Sequence, residues 1–203
     1  MYRIVKRFLD LLVAILLLPF LLPIMAIIAI VIKIDDGGPV FYHGSRLGKG
    51  GKVFRMCKFR SMRVNAPDLR NPDSSTYNAA EDPRQTRIGR LLRKTSLDEL
   101  PQVFNVIIGQ MSFIGPRPDL PDHERFYEGS TRDKLLVPPG ITGYNQAYNR
   151  NAVTWGERLT HDVYYVRNLS FWLDLRILFR TVLIVLRREG VFADATKSEE
   201  LHV

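Results

Sequence analysis

Two adjacent carboxylates, Asp98 and Glu99, stand between an arginine-rich stretch and a stiff turn that carries a further arginine. The segment reads Arg93-Lys94-Thr95-Ser96-Leu97-Asp98-Glu99-Leu100-Pro101-Gln102 and then, thirteen residues on, Gly115-Pro116-Arg117-Pro118. A carboxylate is a competent covalent nucleophile and a guanidinium binds phosphate bidentately, so these residue types in this order suit phosphate chemistry. Pro116 and Pro118 stiffen the backbone on either side of Arg117 and limit where its side chain can go. Arg93, one helical turn before the pair, is a second candidate phosphate ligand, and Lys58 and Arg60 are further ones. A plainer reading competes for Glu99: Ser96-Leu97-Asp98-Glu99 has the Ser-x-x-Glu form of a capping box. Pro101 fits only the first turn of the helix it would begin, which argues for a later start. His43, His123, His161 and His202 have no metal-ligand spacing.

These side chains need elements to hold them. Residues 96 to 109 read as a helix closed by Gly109. From Thr86 to Lys94, Ile88, Leu91 and Leu92 alternate with Arg87, Arg90 and Arg93 at helical spacing. Val40 to His43 and Val53 to Phe59 read as two short strands joined by Gly48-Lys49-Gly50-Gly51, a hairpin connection rather than a phosphate loop, because no Gly-Lys-Ser/Thr opens a helix there. Residues 65 to 83, rich in Asn, Asp, Pro and Ser, read as a surface loop, and residues 137 to 143 as a rigid turn. Residues 171 to 188 form an apolar helical face with Arg176, Arg180 and Arg187 on another. That face suits packing on the domain or seating at an anionic lipid surface equally well.

The chain has 203 residues, a net charge of +8 and a sequence pI near 9.8. That is room for one apolar segment and one domain of ordinary size, and the charge favours anionic partners. The single cysteine, Cys57, excludes an intrachain disulfide. Residues 11 to 32 are Leu, Val, Ala, Ile, Met, Phe and Pro only, long enough as a helix for a hydrocarbon core of about 30 Å. Arg3, Lys6 and Arg7 precede this run, and Lys33 with a further series of basic residues follows it, so the positive-inside tendency keeps both flanks in the cytoplasm. Pro19 and Pro23 each remove a helical hydrogen bond, which suits a segment that enters and returns; a kinked single span is the alternative. Asp10 pairs with Lys6 or Arg7 at i,i+3 or i,i+4, or else is a solvated interface charge.

Taken in order, these strings resemble the bacterial sugar transferases, the small monotopic phosphoglycosyl transferases. The resemblance is carried by Lys6-Arg7-x-x-Asp10, Gly38-Pro39-Val40-Phe41-Tyr42, Lys58-Phe59-Arg60-Ser61-Met62, Arg87-Ile88-Gly89-Arg90, Leu97-Asp98-Glu99-Leu100-Pro101-Gln102, Gly115-Pro116-Arg117-Pro118 and Pro139-Gly140-Ile141-Thr142-Gly143. The chain departs from the family pattern at Leu22, where serine is frequent, at Gln110, where an acidic residue is, and at Tyr148, where glycine is.

The resemblance implies an α+β, mostly helical fold. A re-entrant helix-break-helix anchor over 1–36, broken at Pro23, would precede a cytoplasmic catalytic domain over 37–193 with a short β-hairpin and interfacial amphipathic helices, then a polar tail over 194–203. It implies transfer of a sugar 1-phosphate from a UDP-sugar to a polyprenol phosphate, undecaprenyl phosphate by default, with UMP released and Asp98 as the covalent nucleophile beside Glu99. Mg2+ at Asp98 is the implied cofactor. The implied partners are the two substrates, inner-leaflet lipid, downstream glycosyltransferases and a second copy of the chain, with no nucleic acid. Two rivals remain, a basic membrane-anchored binding module and a glycosyltransferase that releases UDP. The second lacks an evident βαβ succession for its nucleotide.

Overall fold

The computed structural model describes residues 1–71, 77, 79, 81–149 and 153–187. Parts of the expected loop over 65–83, Arg188 and the polar tail over 194–203 lie outside the described residues.

The apolar run forms α1 (Tyr2–Asp36), with Pro19 and Pro23 inside it. Neither proline ends the helix, so the break expected at Pro23 is not an interruption of secondary structure. α1 ends where Gly37 turns left-handed at φ 71° and donates to the Lys33 carbonyl at 3.0 Å. Asp10, Ala14, Met25, Ile28 and Ile32 are buried and Leu18 and Leu21 half-buried, a single stripe at three- and four-residue spacing along the whole helix. The other faces expose Phe8, Ile15, Phe20, Ile27 and Ile30. Among the described residues α1 is the one helix long and apolar enough to cross a membrane, with a mean hydropathy of 3.1 in its most apolar stretch.

β1 (Phe41–Leu47) and β2 (Val53–Phe59) form the expected hairpin, antiparallel from Phe41 opposite Phe59 to Leu47 opposite Val53. β1 runs four residues beyond its expected end. The turn between them needs positive φ at Gly50 and Gly51 (69° and 76°), which glycine supplies without strain. Period-two alternation puts Phe54, Met56 and Lys58 on one face of β2; the first two are core, and the third becomes part of the site.

α2 (Arg87–Lys94) is capped by Thr86, whose hydroxyl accepts from the Gly89 amide at 2.9 Å. α3 (Gln102–Ile108) ends at Gly109, φ 91°. A short parallel pair not anticipated from the sequence follows: β3 (Ser112–Ile114) against β4 (Gly140–Thr142). Between these strands the chain makes 3-10 turns over Pro121–Phe126 and Gly129–Leu136. Then come α4 (Tyr144–Tyr148), α5 (Trp155–Arg167) and α6 (Phe171–Arg187).

Ala14 of α1 packs with Phe54, Met56, Val103, Val106 and Met111, and Met25, Ile28 and Ile32 pack with Phe59 and Leu92. A third cluster joins Ile114 and Val137 to Tyr165, Val166 and Ile177. α1 is thus one wall of the core that holds β2, α2 and α3 in place.

Polar contacts pin it at both ends. Lys6 Nζ donates to Asp174 of α6 at 2.7 Å. Arg7 donates to the Val106 and Ile107 carbonyls at 2.6 and 2.9 Å, filling acceptors that the end of α3 leaves open. Asp10 accepts from the Phe113 amide at 3.1 Å. The ion pair expected within α1 is therefore corrected: Lys6 reaches Asp174, and Asp10 is held by the backbone of β3. At the other end Asp36 takes a two-pronged contact from Arg60, which also donates to the Pro39 carbonyl at 2.6 Å and the Met62 carbonyl at 3.1 Å.

Candidate active site

The carboxylate pair sits on a sharp corner. Ser96 adopts a left-handed conformation, φ 58°, and Leu97–Glu99 make a single 3-10 turn before α3 begins at Gln102, behind Pro101. The capping box expected at Ser96-x-x-Glu99 does not form; Ser96 makes no side-chain cap bond. A serine at positive φ cannot hold the extended N-cap conformation, and Pro101 delays the helix as its chemistry requires. Glu99 is thereby released from a capping role and reaches Lys58 Nζ at 2.6 Å.

Asp98 is buried, and burial pushes its pKa up to about 6 from an ordinary 3.8; Glu99 adds to the rise, while Lys58 and Arg93 oppose it. Glu99 moves the other way. Burial raises it, but Lys58, Arg117 and Arg93 together outweigh burial and hold it below the usual range. Two neighbouring carboxylates whose environments drive their protonation apart are the arrangement from which acid, base and nucleophile roles are built.

The cations come from four separate places in the chain. Lys58 comes from β2, Arg93 from the end of α2 and Arg117 from the turn after β3. Burial lowers the Arg93 pKa, and the charges of Asp98 and Asp82 oppose that shift. Arg117 acts on Glu99 and on Arg93. Arg46 of β1, not singled out from the sequence, belongs to the same surface: burial lowers its pKa, and Arg117 is the charge that acts on it most strongly. In sequence Arg46 is one basic residue among many on an alternating strand, and only the turn after β3 makes it a neighbour of Arg117.

The structure thus brings together Asp98, Glu99, Lys58, Arg93 and Arg117. It corrects the assignment of Arg60, whose donors are committed to Asp36 and to the Pro39 and Met62 carbonyls at the end of α1. Lys6, Arg7 and Asp10 lie where α1 meets α3, β3 and α6, and Pro23 lies inside α1. Asn105, also missed, ties the site's elements together. Its amide oxygen accepts from the Cys57 amide at 2.8 Å, and its nitrogen donates to the Arg55 carbonyl at 2.9 Å and to Gln110 at 2.7 Å. That last contact uses Gln110 as an acceptor. Tyr148 stacks on Tyr144, with centroids 4.5 Å apart, and lies beneath Arg180.

Among the described residues no group of three His, Cys, Asp or Glu side chains could cage a metal. Asp98 and Glu99 still fit Mg2+, an ion that binds through one or two carboxylates and completes its shell with water and substrate phosphate. Asp98 is the uncommitted member, since Glu99 is paired with Lys58.

An electropositive surface around two differently poised carboxylates, on a body whose N-terminal helix exposes an apolar face, can bind a phosphorylated substrate and attack it beside lipid. Relatives of the chain include proteins named as sugar phosphotransferases. The chain is 40% identical over 202 residues to an undecaprenyl-phosphate galactose phosphotransferase of Salmonella typhimurium, an alignment covering 94% of this chain and 42% of that protein. It is 37% identical over 198 residues to a UDP-N-acetylgalactosamine-undecaprenyl-phosphate N-acetylgalactosaminephosphotransferase of Aeromonas hydrophila, covering 93% and 45%. Against the exopolysaccharide production protein ExoY of Sinorhizobium fredii it is 38% identical over 198 residues, covering 92% and 88%. The chain therefore spans less than half of the first two and most of the third. Residues 1–188 match the family described as bacterial sugar transferase, and the chain belongs to that family.

Proposed function

We propose that this protein transfers a sugar 1-phosphate from a UDP-sugar to a polyprenol phosphate at the cytoplasmic face of a bacterial membrane, the opening step in assembling a lipid-linked glycan. The observation that carries the reading is Asp98, buried beside a Lys58-paired Glu99 and within the field of Arg93. Arg117 and Arg93 bind the diphosphate, and an Asp98 oxygen attacks the sugar-bearing phosphorus. The bond from that phosphorus to the bridging oxygen breaks, and UMP leaves with the electron pair. A phosphate oxygen of the polyprenol phosphate then attacks the same phosphorus and displaces Asp98, giving a polyprenyl diphosphate sugar. Splitting one displacement into two lets a single site serve two large substrates in turn. Lys58 keeps Glu99 ionised and balances its charge, so that the pair can accept a substrate anion. Mg2+ held by Asp98 would neutralise phosphate charge and favour the ionised carboxylate.

The membrane seating follows from α1. A span would carry the two ends of the helix to opposite sides of the bilayer, yet Lys6 and Asp36 are bound to the same folded body through Asp174 and Arg60. We read α1 as monotopic, both ends on one side of the membrane and its exposed Phe8, Ile15, Phe20 and Ile27 in lipid.

The test is to supply purified protein with Mg2+, undecaprenyl phosphate and a panel of UDP-sugars that starts with galactose and N-acetylgalactosamine, the sugars in the relatives' names. UMP release dependent on one donor is the expected result. UDP release would mean plain glycosyl transfer.

A further inference from the structure

The turn that carries Arg117 is backed by buried charges that the proposed reaction does not use. Lys134, in the 3-10 turn over Gly129–Leu136, puts Nζ 2.6 Å from Asp119 Oδ2 and 2.8 Å from Asp162 Oδ2. The side chains of Lys134 and Asp162 are 4% and 3% exposed, so these charges are almost out of water. Asp119 also accepts from the Tyr127 hydroxyl at 2.6 Å, and its own carbonyl accepts from the Leu47 amide at 2.9 Å. Asp162 comes from α5, so Lys134 ties the chain just after the Arg117 turn to that helix. Arg117, Asp119, Tyr127 and Lys134 line one cavity of about 10 Å³, about the size of a single water molecule.

The opposite side of the turn is closed by backbone. The Gly140 amide donates to the Pro116 carbonyl at 2.9 Å, and a Cβ on Gly115 would lie 2.6 Å from the Pro138 carbonyl oxygen. The turn is therefore wedged between β4 on one side and the Lys134 cluster on the other.

Burying three charges costs more than their mutual attraction commonly returns, and apolar replacements of such clusters are often as stable. What this cluster supplies instead is position. Asp119 lies two residues after Arg117, and Lys134 locks it to Asp162 of α5. We infer that Lys134, Asp119 and Asp162 are positioning residues that aim the Arg117 guanidinium at the donor diphosphate. The inference rests on the phosphate-binding role given to Arg117 above.

A double-mutant cycle on the full chain tests it: wild type, Arg117→Ala, Lys134→Met and the pair, read both as kcat/KM for the UDP-sugar and as Kd for UDP by calorimetry. Acting through Arg117, Lys134→Met lowers kcat/KM on the order of a hundredfold and adds nothing once Arg117 is alanine. Losses that multiply in the pair overturn the positioning role and leave Arg117 as a ligand. If Lys134→Met does not fold by thermal unfolding, Asp162→Asn takes its place in the cycle with the same non-additivity expected. Wild-type kcat/KM and Kd in Arg117→Ala overturn this inference together with the role of Arg117. UDP binding without turnover by the wild type counts against the transfer reaction alone, because the Kd cycle still decides the positioning role.

Discussion

Replacing Asp98 by Asn separates the chemical and energetic roles of the buried carboxylate. In the folded protein Asp98 holds its proton up to about pH 6, against 3.8 for the ordinary group. Between those values the folded state binds more protons than the unfolded chain, so stability falls as pH rises through the window. Above it both states are ionised and the full deficit persists, about 3 kcal/mol from the two pKa values at 1.36 kcal/mol each unit. Asparagine keeps the shape and has no charge to bury. Asp98→Asn is therefore expected to match the wild type near pH 4 and to exceed it at pH 7.5 by as much as about 3 kcal/mol, a rise in Tm of roughly 6–12 °C for a chain of this size. Thermal unfolding in detergent with a chelator at both pH values measures this, with UMP release followed in parallel. Turnover should vanish in the same variant. Equal Tm values at pH 7.5, or a gain of the same size at pH 4, would refute the burial argument, and retained turnover would remove Asp98 as nucleophile.

Mg2+ should raise the Tm of the wild type at pH 7.5 and leave Asp98→Asn unmoved, if Asp98 holds the ion; equal shifts in both would place it elsewhere. Wild-type kcat/KM measured at saturating Mg2+ should rise with pH along an acid limb set at or below the free Asp98 value of about 6. Asn105→Ala strands the part-buried Cys57 amide and removes the donor to the Arg55 carbonyl, and is expected to lower unfolding free energy by about 1–3 kcal/mol in all in denaturant titration. Gly89→Ala would put a Cβ 1.9 Å from the Ser61 carbonyl oxygen, backbone against backbone, so folded yield rather than kinetics should collapse. Arg117→Lys keeps charge and loses the planar fork, and should raise donor KM about tenfold or more.

Much of the site could be read from the chain, because its chemistry is concentrated in residues close in sequence. Asp98, Glu99 and Arg93 lie within seven residues, and Pro116 and Pro118 mark Arg117 as stiff by residue type alone. Strand β2 and helix α2 were equally legible from alternation and helical spacing. What escaped was set by tertiary contact. Arg60 carries the same charge as Lys58 two residues earlier, and nothing local says that it turns toward Asp36 while Lys58 turns toward Glu99. Arg46, Lys134 and Asp162 acquire meaning only when the parallel pair β3 and β4 brings the turn after β3 against them, and three-residue strands leave no periodic trace. The capping box failed for a physical reason: Ser96 sits at positive φ, a conformation that Ser-x-x-Glu spacing does not announce.

The stripe along α1 also bears on the order in which the protein can be completed. α1 is synthesised before every element it packs on, and the Asp174 carboxylate that receives Lys6 comes 168 residues later. At bacterial synthesis rates of about 5–20 residues per second, that is roughly 10–30 s before the Lys6 end of the most apolar segment meets its partner. Its docking face cannot be covered until β2 and α3 exist, nor its Lys6 end neutralised until α6 emerges. On the proposed seating, the lipid around the outer face of α1 would serve earlier as a holding place, making membrane insertion a condition of folding as well as its outcome.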